Sequence, residues 1–392
     1  MTVNRRRLTC ITPPYILQSL LESDDAQIRR AALATLVSTA QLRGERNVRS
    51  LLAGAASAPV AGRRSIFDCR TGILLRIATL ARTEGGEEVA DESVNRAYDG
   101  FGVTREFLRE VLERDSIDGL GMRLHGYVHR GLRYNNAFWD GSEMVFGDGD
   151  GRVFSDFTGS LDVIAHELAH GVTEFTAAWE YHDQPGALNE SMSDVFGSMV
   201  KQWALKQSAA DADWLIGADV FTPGIDADAL RSMKAPGTAF DNQLFGKDPQ
   251  PAHMNDFVEL PDTEEGDFGG VHINSGIPNK AFHLVATGIG GNSWEAAGHI
   301  WYESLKASTA HAQFADFAAT THAKAGELYG SGSAEQQAVA DAWEGVGVPV
   351  TVPPATPGDD NGSAPSISQQ LEGLTAQVQA LAAEVQALAG RH

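Results

Sequence analysis

His166-Glu167-Leu168-Ala169-His170 is the stretch that decides how this chain is read. On a helix, four residues advance about 6 Å and return to nearly the same face, so both imidazoles reach one point in space. Neutral imidazole suits Zn²⁺, which lowers the pKa of a coordinated water to about 7. Glu167 then stands beside that point as a carboxylate that can take a proton. The five residues alone are also compatible with a surface helix carrying two solvated histidines, so the rest of the chain has to decide.

Two imidazoles do not hold a catalytic zinc; a third ligand is needed, with one position left for water. Asn189-Glu190-Ser191-Met192-Ser193-Asp194 offers two acids at helical spacing. Glu190 is the candidate third ligand. Asp194, one turn on, is spaced to accept the free N–H of a ligating histidine, a bond that fixes tautomer and ring orientation. A solvated helix face is the competing reading of these two acids.

The bulk of the chain is consistent with an enzyme body. At 392 residues, 43% hydrophobic and with 41 Gly, it is long enough for two or three domains with sizeable cores. A net charge of −22 argues against nucleic acid and against anionic membranes, which both need a basic patch. Residues 1–50 hold eight Arg against four acids, a local +4 that leaves −26 on the remainder. A basic leader on an acidic body invites electrostatic docking of one on the other, although Arg5, Arg6 and Arg7 also read as a solvated tail. Two cysteines, Cys10 and Cys69, make no disulfide framework. The first residues do not read as a secretory signal, because Pro13 and Pro14 interrupt the apolar run and acids follow soon after. Synthesis in the cytosol is expected, with unconventional export left open. No apolar run reaches the length of a membrane span.

Along the chain, residues 1–60 read as a leader with helices at Tyr15 to Leu21 and Ala26 to Leu42, closed by the flexible small-residue linker 53–62. Residues 65–155 read as short strands between Gly-rich turns, and the pattern from 160 onward reads as mostly helical. Ser160 is the expected N-cap of the His166 helix. Residues 351–366, rich in Pro, Gly, Asp and Ser, read as a disordered linker. In the tail, 367–390, Leu371, Val378 and Val385 take heptad position a, and Leu374, Leu381 and Leu388 take d. That pattern favours a parallel two-stranded coiled coil, and hence a homo-oligomer; Ala382 and Ala389 leave room for a larger bundle, and one helix folded back on the body is the alternative.

His-Glu-Leu-Ala-His, then Gly186-Ala187-Leu188-Asn189-Glu190-Ser191-Met192-Ser193-Asp194, then Gly270-Val271-His272-Ile273-Asn274-Ser275-Gly276, resembles the thermolysin family of zinc endopeptidases. Tyr134-Asn135-Asn136-Ala137-Phe138-Trp139-Asp140-Gly141 is similar to that family's substrate-binding edge strand. The resemblance spans about residues 65–348, and the leader with Pro13-Pro14-Tyr15 is similar to the protealysin-like branch, whose precursors carry a brief propeptide and no signal peptide. It implies an α+β fold of two lobes, strand-rich over 61–200 and helical over 201–350, with the active-site helix between them. It also implies roles. His166, His170 and Glu190 would be zinc ligands, and Glu167 the general base. His272 would stabilise the oxyanion, charged and oriented by Asp267, with Tyr181 as second donor. Arg231 would hold a substrate carbonyl, and Asn136 and Ala137 would pair with the peptide backbone. Phe157, Val163 and Leu230 would line a primed-side pocket, so cleavage is expected before a bulky apolar residue.

The sequence departs from the family in places. Where its members carry a paired calcium site, this chain has Lys201, Leu215 and Ala218, with only Asp162 and Asp213 acidic. A Lys ammonium in place of the metal's charge is the expectation. One calcium in the loop Phe221–Asp228 remains open, since oxygen ligands are present but few. The leader is expected to inhibit. Either the Cys10 thiolate occupies the open zinc position, or Pro13-Pro14-Tyr15 lies in the cleft without touching metal and Cys10 is simply buried. The expected function is a zinc endopeptidase made as a precursor and self-processed between about residues 50 and 65. The alternatives are an aminopeptidase, for which no Gly-x-Met-Glu-Asn stretch is found, and a non-catalytic scaffold oligomerised by the tail.

Overall fold

The computed structural model describes residues 8–52 and 64–350. The linker 53–62 and the heptad tail lie outside them. The described residues up to Val350 form one compact unit, those of the leader included.

The leader contributes β1 (Thr9–Cys10), α1 (Pro14–Leu20) and α2 (Ala26–Leu52). The helices fall where their spacing predicts, although α2 runs ten residues beyond Leu42. Pro13 and Pro14 fix the entry of α1, since proline's missing N–H is no loss at a helix start. The β1 strand was not anticipated from the sequence.

After the linker come β2 (Arg64–Asp68), β3 (Thr79–Thr83), α3 (Glu92–Leu112), β4 (Leu124–Val128), β5 (Ala137–Trp139) and β6 (Met144–Phe146). They form a six-stranded mixed sheet in the order β1-β5-β6-β4-β2-β3, parallel between β2, β4 and β6 and antiparallel elsewhere. The leader therefore supplies the sheet's edge, with Thr9 opposite Trp139 and Cys10 opposite Phe138. A sheet edge is a row of unpaired backbone groups that readily takes another strand.

α3 corrects the reading of 65–155 as strands and turns. Its start is marked: the Asp91 carboxylate accepts from the N–H groups of Ser93 and Val94. Gly100 and Gly102 lower the helix propensity of this stretch, although its buried residues Val94, Ala97, Tyr98, Phe101, Phe107, Leu108 and Leu112 keep helical spacing. Gly100 has a packing reason. A Cβ there would lie 2.6 Å from Ile164 Cδ1, so glycine lets α3 approach the helix that carries the histidines.

That helix, α4 (Leu161–Glu174), is buried on all sides from Asp162 to Thr173, as expected of an apolar helix wedged between a sheet and other helices. Ser160 stands at its N-cap but makes no capping bond; its hydroxyl instead donates to the Asp162 carboxylate. α5 (Asp183–Leu205) packs along it, buried from Pro185 to Val200.

Residues 206–266 correct the expectation of a helical run. They are mostly turns, with two-residue strands β7 (Leu215–Ile216), β8 (Arg231–Ser232), β9 (Asp241–Asn242) and β10 (Gly246–Lys247). Lys201 projects from α5 into this region, its Nζ 3.3 Å from Asp162 Oδ2, 3.1 Å from Asp213 Oδ2 and 3.4 Å from the Leu215 carbonyl. An ammonium thus neutralises a cluster of oxygens that would otherwise repel. The Gly147–Gly151 run is a turn: Asp150 Oδ1 accepts from the N–H groups of Arg152 and Val153.

Five helices complete the helical side: α6 (Asp267–Asn274), α7 (Gly276–Ile289), α8 (Ala296–Ala307), α9 (Phe314–Tyr329) and α10 (Ala334–Gly345). They close on Trp301, Phe317 and Trp343, whose rings lie 6.1–6.2 Å apart. One apolar core runs from the leader's Ile16 and Leu20 through α4 to these aromatics. Among the described residues, no helix is long and apolar enough to cross a membrane.

Candidate active site

α4 and α5 bring His166, His170 and Glu190 together as one buried group. Each histidine is oriented from behind. His166 Nδ1 lies 2.8 Å from Asp194 Oδ1, and because a carboxylate only accepts, Nδ1 carries the proton. His170 Nδ1 lies 2.8 Å from Asn189 Oδ1, with Ser193 Oγ at 3.1 Å. Both Nε2 atoms then present lone pairs, and they lie only 3.1 Å apart. Two lone pairs at that distance repel unless a cation sits between them.

Glu190 adds the third donor. Its Oε1 is 3.5 Å from His170 Nε2, and its Oε2 is 3.5 Å from His166 Nε2. Oε2 is buried without a hydrogen-bond partner among the described residues. Tetrahedral zinc with bonds of about 2.0–2.1 Å needs ligand atoms separated by about 3.3 Å. Two opposed ring lone pairs and an orphan carboxylate oxygen at these spacings fit that ion. Burial drives the His170 imidazole down to about 3, so it stays neutral, as a ligand must. Burial opposes the charge on Glu190, but His272, His170 and His166 outweigh it and hold the carboxyl below its ordinary range.

Glu167 points from α4 toward β5. Its Oε2 accepts from the Trp139 N–H at 2.9 Å, and its Oε1 has no partner among the described residues. Burial and the nearby Glu190 push its proton affinity well above that of an ordinary glutamate. A carboxylate whose proton affinity is raised toward the working pH is suited to general-base chemistry.

On the far side, residues Asp267 to Gly270 all take left-handed backbone, with φ of 52°, 52°, 84° and 77°. For Asp267 and Phe268 that conformation is strained. At Gly269 a Cβ would meet Asp183 Oδ1 at 2.1 Å, so glycine is required. The turn folds Asp267 back over His272: the carboxylate accepts from the His272 N–H at 2.8 Å and bonds Nδ1 at 2.6 Å. Burial disfavours the imidazolium, yet Asp267 and Glu190 prevail and raise His272 to about 9. Nε2 is thus a charged donor facing the cleft. The Tyr181 hydroxyl lies 3.4 Å from it and donates to Glu190 Oε1.

The leader's extended segment runs through this space. The Cys10 carbonyl accepts from His272 Nε2 at 2.9 Å. The Ile11 N–H donates to the Ala137 carbonyl at 3.2 Å, its carbonyl accepts from Arg231 Nη1 at 3.2 Å, and the Thr12 N–H donates to Asn136 Oδ1 at 3.0 Å. Ile11 has no exposed surface and belongs to the same core as Phe157, Val163 and Leu230. It is the backbone of Cys10 that enters the cleft. Its side chain packs with Leu8, Tyr134 and Phe138 on the other side of the strand, and burial pushes the thiol up to about 12. The Cys10 sulfur is not part of the three-ligand group.

Of the fourteen residues singled out in the sequence, the structure brings eleven together around the leader segment, while Phe157, Val163 and Leu230 lie in the large apolar core that also holds Ile11. Three partners were missed. Asn189 orients His170; Asn279 Nδ2 donates to Asp194 Oδ2 at 2.8 Å; the Trp139 N–H holds Glu167. The rule that every ligating imidazole donates its second N–H demanded an acceptor for His170, and Asn189, next to Glu190, was available to meet it. Asn279 sits in no motif and gave no signal.

Comparison with known proteins agrees with this geometry. Residues 82–174 match the thermolysin metallopeptidase catalytic domain, and residues 177–348 match the thermolysin metallopeptidase alpha-helical domain. The extracellular metalloprotease of Pectobacterium carotovorum subsp. carotovorum is 46% identical over 352 residues, covering 88% of this chain and 98% of that protein. Protease PrtS of Photorhabdus sp. (strain Az29) is 42% identical over 356 residues, covering 89% and 95%. The solved precursor of protealysin, a metalloproteinase from Serratia proteamaculans, is similar with a TM-score of 0.77 at 46% identity, covering 87% of this chain and 99% of that one. The chain belongs to the thermolysin family of zinc metalloendopeptidases, within its protealysin-like branch.

Proposed function

We propose that this enzyme cuts peptide chains on the amino side of bulky apolar residues, and that it is made as a precursor silenced by its own leader. The observation that carries the proposal is the leader segment along β5. Its backbone is held by Ala137, Asn136 and Arg231, and its Ile11 is sealed in the core that holds Phe157, Val163 and Leu230. Main-chain pairing to an edge strand accepts any sequence, and an apolar pocket then supplies selectivity.

His166, His170 and Glu190 would hold the zinc, which would supply Lewis-acid activation of water. Glu167 takes a proton from the attacking water and returns it to the leaving nitrogen. His272, kept cationic by Asp267, donates to the oxygen on which negative charge develops; one such donor contributes about 3–4 kcal/mol. Tyr181, whose hydroxyl lies 3.4 Å from His272 Nε2, would supply the second donor. Arg231 fixes the next carbonyl, and so the register of the chain.

The leader with its linker (1–60), the two lobes (61–200 and 201–350), the polar linker (351–366) and a self-associating coiled-coil tail (367–390) complete the reading, with self-processing between about residues 50 and 65. Small residues between Leu52 and Arg64, the bounds of α2 and β2, support that maturation site.

The test is a peptide library digested by wild type and by Glu167→Gln, with zinc measured in both. Wild type should cut before Leu, Ile, Val and Phe, and the variant should keep one zinc per chain with no turnover. Turnover by the variant, or cut sites without an apolar residue, would overturn the proposal.

A further inference from the structure

We propose that the leader is itself a substrate, with Cys10–Ile11 standing in the place of the bond that is cut. This rests on the reading of the cleft just given. The register singles out that peptide group. Its oxygen accepts from His272 Nε2, the oxyanion donor, while its N–H faces the Glu167 carboxyl and the Ala137 carbonyl. The next peptide group has its oxygen on Arg231 instead, and its N–H on Asn136. Only Cys10–Ile11 lies between the base and the oxyanion donor. The side chain after it, Ile11, is the apolar residue that the pocket selects.

The step balances with water as the only co-reactant. Water oxygen adds to the Cys10 carbonyl carbon, and Glu167 takes its proton. The Cys10–Ile11 C–N bond breaks, and that proton goes to the Ile11 nitrogen. The remaining water proton passes from the new carboxyl group to the amine, so the products end in a Cys10 carboxylate and begin with an Ile11 ammonium.

The docked leader resists this because both sides of the bond are anchored. Upstream, Leu8 and Cys10 are packed against Tyr134 and Phe138. Downstream, α1 begins at Pro14 and buries Ile16 and Leu20 in the main core. A newly formed Ile11 amine cannot leave and stays aligned for rejoining, and such alignment is worth a very high effective concentration. Cleavage therefore proceeds when the downstream anchor loosens.

The experiment uses the full zinc-loaded chain in ¹⁸O-water, followed by intact-mass spectrometry and peptide mapping. Leu20→Ala should release the fragment ending at Cys10 at least tenfold faster than wild type, with ¹⁸O in the Cys10 carboxylate. Ile16→Ala, a second loosened variant, should do the same. Ile11→Asp should abolish this cut. Independently of turnover, in Glu167→Gln chains opened at the small-residue linker with elastase, Ile11→Asp should speed departure of the leader at least tenfold and Ile11→Leu should not. If the enzyme cuts library peptides before apolar residues yet leaves Cys10–Ile11 whole in both loosened variants, this proposal falls and the reading of the cleft stands. If library peptides are not cut with zinc bound, both fall.

Discussion

Arg231 closes on Asp194 through two parallel bonds, Nε to Oδ2 and Nη2 to Oδ1, each 2.8 Å long, and both side chains are fully buried. The same Oδ1 accepts from His166 Nδ1, while Arg231 reaches on to the Ile11 carbonyl. One carboxylate therefore couples the metal's first ligand to the residue that sets the register of the bound peptide. Burial costs such a pair much of its attraction, so its value here lies in fixing both partners in place.

Asp194→Asn tests that coupling. The uncharged amide leaves Arg231 buried without a counter-charge and gives His166 a weaker acceptor. Zinc affinity should fall roughly 10- to 100-fold, and stability by about 3–5 kcal/mol. Competition against a chromophoric chelator and urea unfolding of the zinc-saturated chain would measure the two losses. Unchanged zinc affinity would show that Asp194 does not orient the ligand.

Gly100 is the contact by which α3 sets the depth of α4. Gly100→Ala gains about 1 kcal/mol of helix propensity. Its Cβ, however, would fall 2.6 Å from Ile164 Cδ1, and overpacking costs about 1–3 kcal/mol. The variant should lower the urea midpoint, and adding Ile164→Val, which removes that methyl, should restore it. A stabilised single variant would show that the two helices have room to spare.

The metal ligands and the base were legible because they are written in local spacing. Two imidazoles four apart and two acids four apart each share a helix face whatever the tertiary fold, whereas the roles of His272, Asp267, Tyr181 and Arg231 were implied only by the family resemblance. What was not legible depends on contacts distant in sequence. α3 was hidden because Gly100 and Gly102 answer to Ile164 and Arg64 rather than to helix propensity. The turns of 206–266 were hidden because Arg231 and Lys201 are fixed by Asp194, Asp162 and Asp213, not by neighbours along the chain. β1 is a strand only because β5 offers it an edge.

Lys201 occupies a place among oxygens, and its charge should be exchangeable for a metal's. Lys201→Asp would put a third carboxylate beside Asp162, Asp213 and the Leu215 carbonyl, the donor set of a hard divalent cation. Wild-type melting should be indifferent to millimolar calcium at this position. The variant should melt lower without calcium and recover as calcium is added. A variant that recovers equally well with added sodium would be responding to screening alone.

His129 fastens the start of α3, and its charge gives the fold a pH dependence of known sign. Its Nδ1 lies 2.8 Å from Asp148 and its Nε2 2.8 Å from Asp91, the N-cap of α3. The bond to Asp148 is the largest influence; with Asp91 it overcomes burial and raises the imidazole from 6.5 to about 9. A group held more basic in the folded chain contributes its full stabilisation below its unfolded pKa and loses it as pH rises through the folded value. The contribution should therefore be complete below about pH 6.5 and gone above about pH 9. His129→Gln should melt below wild type at pH 6, and the two should converge by about pH 10. The two aspartates are about a third exposed, so salt should shrink the gap at pH 6. A gap that is constant from pH 6 to 10 would mean that His129 acts through its shape and neutral hydrogen bonds, not its charge.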